Sequence, residues 1–165
     1  MTNVDDSFIL RDLGQNDLGK LIELNKEIFA FELEKCESTS NMKFSESESG
    51  VRYFENAINK KEGFWGFGAA AEGDLVGYVI LKQVPESDLE HRVGISQVQL
   101  HTISVTSRLR NKGVGRLLIE KAIESAREKK ANRMKVTAYA NNVRAINLYR
   151  SLGFFDLELT LERVL

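Results

Sequence analysis

A basic, glycine-containing turn carries the clearest chemistry in this sequence. A run of strand-forming residues ends at Val105, and a helical pattern begins at Val114. The first turn of a helix has unpaired N–H groups and a partial positive charge, so it can hold an anion. Gly113 and Gly115 lack Cβ atoms and let a phosphate approach the backbone closely. A phosphate site is therefore predicted at Arg110, Asn111, Lys112, Gly113, Val114, Gly115 and Arg116.

The glycine spacing distinguishes between kinds of phosphate site. A nucleoside-triphosphate loop requires G-x-x-x-x-G-K-S/T, which the chain lacks. A dinucleotide fingerprint requires a third glycine three positions after Gly115, where this chain has Leu118. The remaining pattern, R-x-x-G-x-G, is also explained by a helix start that merely needs flexible glycines.

A second motif begins at Asn142, 27 residues after Gly115, and has the spacing N-x-x-A-x-x-L-Y-x-x-x-G-F. In this order and at this distance the two motifs resemble the GNAT superfamily of N-acyltransferases that use acyl-coenzyme A, most strongly over residues 97–155. Within the superfamily, the second motif is most similar to the ribosomal-protein alanine N-acetyltransferases. Those enzymes carry a glutamate where this chain has Thr137. The resemblance implies acetyl-CoA as co-substrate and no metal.

The resemblance also assigns roles to single residues. It implies that residues 110–116 hold the coenzyme pyrophosphate, and that backbone groups of Ile103, Ser104 and Val105 pair with the pantetheine amides. Asn142 is expected to contact the coenzyme arm and is also a good helix N-cap. Tyr149 stands at the position of the general acid, where a phenol can donate a hydrogen bond to the departing coenzyme A thiolate.

The base that deprotonates the amine is not evident from the sequence. An amine has a pKa of about 10 and arrives as ammonium, so it must lose a proton before attack. The strand at 98–105 offers Gln99 and His101 but no carboxylate. His101 titrates in a suitable range, yet an imidazole that is simply satisfied on a strand face explains it equally well. A chain of water molecules is the third alternative.

Hydrophobic periodicity predicts the elements that position these residues. One helix opens after residue 17, and further helices are expected at 51–59, 114–130 and 143–152. Strands are expected at 8–11, 64–71, 75–81, 98–105, 134–140 and 154–165. The strand, helix and strand between 98 and 140 form a βαβ unit with a parallel pair. The expected fold is a single GNAT-like domain over residues 1–165, in three α/β/α layers, with a mixed six- or seven-stranded sheet and about four helices.

Composition narrows the functional classes. The 165 residues carry 23 basic and 24 acidic side chains, so the net charge of -1 argues against nucleic acid or an anionic membrane as partner. One cysteine and two histidines are too few for a cysteine cage or a typical zinc site. Residues 1–6 do not resemble a targeting peptide, and no apolar run is long enough for a membrane span. A cytoplasmic domain is expected.

The expected function is transfer of an acetyl group to a primary amine of a small molecule or peptide. The acidic segment at 32–50 could attract a cationic amine such as a polyamine, although a solvated helix face and loop explain it as well. A non-catalytic acyl-CoA-binding or sensing domain of the same fold is the main alternative, and a domain that binds another nucleotide is a weaker one. Because GNAT proteins frequently dimerise through C-terminal strands, residues 156–165 are the expected place for a homodimer contact.

Overall fold

The computed structural model describes residues 8–36, 39–89 and 93–163. The predicted polar N-terminus at 1–6, Glu37, His91 and the last two residues lie outside these ranges. The helices and strands, in chain order, are β1 (Ile9–Asp12), α1 (Leu18–Lys35), α2 (Glu48–Ile58), β2 (Phe64–Ala71), β3 (Asp74–Gln83), β4 (Gln97–Val105), α3 (Val114–Glu128), β5 (Arg133–Val136) and α4 (Val143–Ser151).

The five described strands form one mixed sheet in the order β1-β2-β3-β4-β5. Adjacent strands are antiparallel except β4 and β5, which are parallel and joined through α3. This confirms the predicted βαβ unit. Glu72 and Gly73 close the hairpin between β2 and β3 with φ values of 52° and 89°, the left-handed pair that matches strand twist.

Helices cover both faces of the sheet, as predicted. Tyr78 and Ile80 of β3 are buried on the face covered by α1 and α2, whereas Val79 and Leu81 are buried on the face covered by α3. This alternation follows from the two-residue period of a strand. Within the described ranges, no helix combines the length and apolarity that crossing a bilayer requires.

The prediction of six or seven strands is wrong for the described residues, because β5 ends at Val136 and residues 154–163 form no strand. The sequence predicts a strand at 154–165, and in it Phe155, Leu157, Leu159 and Leu161 occupy alternate positions. These four side chains are 47–84% exposed. Glu158 reaches the side chain of Lys135 on β5 at 2.9 Å, but no backbone ladder forms. An alternating pattern specifies a strand only where a neighbouring strand supplies the hydrogen bonds.

Candidate functional site

The pairing between the parallel strands β4 and β5 ends halfway along β4. Their pairing runs from Gln97 opposite Arg133 to Leu100 opposite Val136. β4 then continues to Val105, while β5 has ended. In the described part of the chain, the edge of β4 over residues 101–105 therefore has no strand beside it. We call the space beside this edge the strand gap. The predicted pantetheine-binding residues 103–105 lie along it.

A β-bulge lies where the strand gap begins. Ile80 is opposite Thr102 and Leu81 is opposite Leu100, which makes His101 the extra residue of β4. Successive side chains of a regular strand point to opposite faces, and a bulge breaks this alternation. Here His101 and Thr102 both reach the hydroxyl of Tyr53 on α2, with Nδ1 at 3.1 Å and Oγ1 at 2.7 Å.

The surroundings of His101 keep its imidazole neutral at neutral pH. Its ring lies 5.2 Å from that of Tyr53 and 5.5 Å from that of Phe64, centroid to centroid. Burial, and secondly the charge of Lys82, lower the pKa of His101 below its ordinary value. Burial raises the pKa of Tyr53, so the phenol stays protonated. A neutral imidazole is the form that can accept a proton.

The predicted phosphate turn presents free N–H groups. Asn111 and Gly113 have φ values of 64° and 88°, and Gly113, the residue before α3, provides no side-chain cap. Within the described residues, none of the N–H groups of residues 111–116 has a hydrogen-bond acceptor. In contrast, Asn142 caps α4 by accepting a hydrogen bond from the N–H of Ala145, as its sequence predicts. An uncapped helix start that follows left-handed residues forms a concave anion site.

The basic side chains around this turn have different partners. Arg110 donates through Nε to the carbonyl of Val105 at 3.2 Å and through Nη2 to Glu27 at 3.3 Å. Arg116 donates to Ser151 at 2.8 Å. Lys112 makes no ion pair among the described residues. Hydrogen bonds within the protein thus hold the side chains of Arg110 and Arg116 in place.

Two residues near the site escaped the sequence reasoning, Glu27 and Arg144. Arg144 is the second residue of α4, and its pKa is lowered by burial and by the charge of Arg110. A cation at a helix N-terminus is unfavourable, so its position two residues after the Asn142 cap was a readable signal. Two arginines, one from the phosphate turn and one from α4, thus lie close enough to repel each other.

Tyr149 lies on α4 and joins the core that α3 covers. Its side chain is 8% exposed, and its ring lies 5.8 Å from that of Phe154. Burial raises the pKa of Tyr149 to about 12. Its hydroxyl makes no hydrogen bond within the described ranges. The phenol is therefore protonated, with its donor unused, on the face of the sheet opposite to His101.

Metal ligands do not gather in the part of the chain that the structure describes, since no group of three or more histidine, cysteine, aspartate or glutamate side chains could hold an ion there. A cavity of about 720 Å³ lies elsewhere, between the start of β2 and the end of α3, and includes Phe64, Trp65, Lys121 and Lys129. None of the site residues that the sequence predicts lines this cavity, whereas Ile103, Ser104 and Val105 lie on the edge of β4 beside the strand gap.

Comparison with known proteins finds relatives of this sequence. The spermine/spermidine N(1)-acetyltransferase of Bacillus subtilis (strain 168) is 34% identical over 90 residues, which cover 53% of this chain and 58% of that protein. The match thus spans little more than half of either chain.

Two solved structures share the fold at low identity. A mutant of the BH1408 protein from Bacillus halodurans has a TM-score of 0.79 at 20% identity, covering 95% of this chain and 99% of that one. The PaiA N-acetyltransferase of Thermoplasma acidophilum, solved in complex with coenzyme A, has a TM-score of 0.75 at 17% identity and covers 93% of each chain. Residues 25–154 match the family described as the acetyltransferase (GNAT) family. That match spans most of the chain, from the middle of α1 to the residue after Gly153, and this chain therefore belongs to the GNAT family of acetyltransferases.

Proposed function

We propose that this chain transfers the acetyl group of acetyl-CoA directly to a primary amine of a small cationic molecule, with a polyamine as the favoured acceptor. The strand gap carries the proposal. We assign to it the uncapped N–H groups at its phosphate end, the protonated phenol of Tyr149 on one face of the sheet and the neutral imidazole of His101 on the other. Family membership supports the reaction type.

The residues along the gap fit the parts of acetyl-CoA. The N–H groups of residues 111–116 suit a pyrophosphate. The free edge of β4 at Ile103 and Val105 suits the pantetheine amides, which would pair with it as a further strand does. Ser104 contributes only its backbone, because its hydroxyl donates to the carbonyl of Leu24 on α1.

The chemistry requires one bond to form and one to break. The amine nitrogen attacks the thioester carbonyl, a C–N bond forms, the C–S bond breaks, and the sulfur leaves with its electron pair. With a pKa of about 12, Tyr149 differs from a thiol of about 8.5 by about 3.5 units, so complete proton transfer to the thiolate is uphill by about 5 kcal/mol. Tyr149 therefore acts chiefly by donating a hydrogen bond to the sulfur as charge develops.

The proton of the attacking nitrogen needs an acceptor. We assign this role to His101, the residue of β4 that follows its last pair with β5. Its neutral imidazole takes one proton from the ammonium before attack, which frees the nitrogen lone pair. The second proton leaves the nitrogen after the C–N bond has formed and is taken up by the departing thiolate. Acid and base then act from opposite faces of the sheet, with the thioester in the gap between them.

The choice of a polyamine rests on similarity and charge. One relative is named as a spermine/spermidine N(1)-acetyltransferase. Some acids of the predicted attracting segment are already paired in the structure, namely Glu34 with Lys35 and Glu46 with Lys26, both at 2.6 Å. Glu48 at the start of α2 is exposed. A peptide α-amine is less well supported, because Thr137 replaces the glutamate of the ribosomal-protein enzymes.

The first test is calorimetric titration with acetyl-CoA, with ATP and NAD as controls. We expect binding of acetyl-CoA alone. Thiol release is then measured with spermidine, spermine, free amino acids and an alanine-starting peptide. Turnover with polyamines supports the proposal, and turnover with the peptide alone replaces the acceptor. Binding without thiol release for any amine favours the non-catalytic acyl-CoA-binding domain.

A further inference from the structure

Glu27 of α1 is the only carboxylate bonded to the segment that leads into the phosphate turn, among the described residues. Its Oε2 accepts the backbone N–H of Ser107 at 2.9 Å and Nη2 of Arg110 at 3.3 Å. Its Oε1 accepts the hydroxyl of Thr106 at 3.4 Å. One side chain thus binds the residue after β4, the short 3-10 turn that follows it and the first residue of the predicted anion site.

These contacts orient Arg110 without occupying it. A guanidinium has five N–H donors, and Arg110 uses Nε for Val105 and Nη2 for Glu27. Nη1 has no partner within the described ranges. The donors on Nη1 therefore remain for a phosphate, while the other side of the planar fork is fixed.

The charge of Glu27 also stabilises this arrangement. Arg110 lowers the pKa of Arg144, so the two guanidinium groups repel each other. Glu27 and Arg110 are 30% and 26% exposed, and their attraction is only partly screened by solvent. Without the carboxylate, Arg110 would be free to turn away from Arg144 and from the turn.

We propose that Glu27 is a positioning residue for the coenzyme pyrophosphate, acting through Arg110 and the N–H of Ser107. This inference rests on the proposed coenzyme site. It predicts that removing this negative charge weakens the binding of the coenzyme. Coulomb's law alone says that removing a negative charge near a polyanion site tightens binding. Loss of the preorganised arginine instead weakens it.

The test compares two charge-neutralising variants on the same helix. Glu27→Gln should raise the Kd of acetyl-CoA about tenfold, the scale of a lost charge-assisted hydrogen bond, with kcat at saturating acetyl-CoA unchanged. Glu23→Gln removes the same charge one helical turn away, where Glu23 is 63% exposed and pairs with Lys20. It should change the Kd less than about twofold. Thermal unfolding of both variants checks that the fold is retained.

A double-mutant cycle separates positioning from a structural role. In an Arg110→Gln background, Glu27→Gln should have little further effect on the Kd. An equal effect in both backgrounds, or binding by Glu27→Gln as tight as by Glu23→Gln or tighter, overturns the inference while the coenzyme site stands. Failure of the unsubstituted chain to bind acetyl-CoA removes the proposed function, and the role of Glu27 with it.

Discussion

Tyr53 and His101 are joined by a contact of 3.1 Å between the phenol oxygen and Nδ1, although 48 residues separate them in the chain. The same oxygen lies 2.7 Å from Oγ1 of Thr102. A phenol has one proton and can donate to only one of these atoms. If it donates to Thr102, it accepts from Nδ1–H, and Nε2 keeps the lone pair that a base requires.

Replacing Tyr53 by Phe tests this assignment. The variant removes the group that fixes the imidazole tautomer and retains the edge contacts of the ring with Phe54 and Phe64. We expect kcat to fall about tenfold, within the contribution of a general base, while KM for acetyl-CoA is unchanged. Steady-state thiol release at saturating amine measures both constants.

Thr102→Val tests the direction of the hydrogen bond. The substitution preserves the shape of the side chain and removes the hydroxyl, and with it the acceptor for the phenol proton. The phenol of Tyr53 would then donate to Nδ1 of His101 and leave the proton on Nε2, so kcat should fall here as well. Loss of activity in Tyr53→Phe alone would mean that the phenol does not donate to Thr102 in the unsubstituted protein. Full activity in both variants would exclude His101 from proton transfer.

The pH dependence of kcat should respond to Lys82. Burial and the positive charge of Lys82 both lower the pKa of His101, and activity that needs the neutral imidazole is lost as pH falls through this value. Lys82→Gln removes a charge that disfavours imidazolium, so the pKa of His101 rises. The acid limb of kcat should therefore move to higher pH. Lys20→Gln on α1 is the matched control, and an unmoved limb in Lys82→Gln would assign it to another group.

The sequence could predict those parts of the site that are local in the chain. The glycine turn, the Asn142 cap and the position of Tyr149 on a helix depend on neighbouring residues, which a motif contains. The contacts of Glu27 with Arg110 and of Tyr53 with His101 could not be predicted in this way, because they span 83 and 48 residues of the chain. The bulge at His101 is likewise a property of two paired strands, not of β4 alone.

Gly115→Glu should abolish coenzyme binding without unfolding the protein. A Cβ at this position would lie 3.4 Å from Cδ2 of Leu148 and 3.9 Å from Cγ2 of Val105, so the longer side chain would extend toward the strand gap. A carboxylate in the first turn of α3 also repels a pyrophosphate. The same charge is favourable for the helix itself, so Tm should fall little.

The control for this variant is Gly19→Glu. Gly19 also lies near the start of a helix, and a Cβ there meets no atom within 4 Å. It carries the same change in net charge and should bind acetyl-CoA normally. We expect the Kd of Gly115→Glu to rise by more than about 100-fold, since steric and charge conflicts act together. Retained binding would move the coenzyme away from residues 110–116.

Tyr149→Phe should separate catalysis from stability. The hydroxyl makes no hydrogen bond within the described residues, although the residue as a whole is only 8% exposed. Among the described residues, the only buried side-chain nitrogen or oxygen without a partner is Oε1 of Gln97, so the Tyr149 hydroxyl reaches solvent and its removal should leave Tm nearly unchanged. The kcat should nevertheless fall about 10- to 100-fold, because the leaving sulfur loses its hydrogen-bond donor, and the Kd of acetyl-CoA should not change. An unchanged kcat would remove Tyr149 from the reaction, whereas a lower Tm would mean that the hydroxyl has a structural partner.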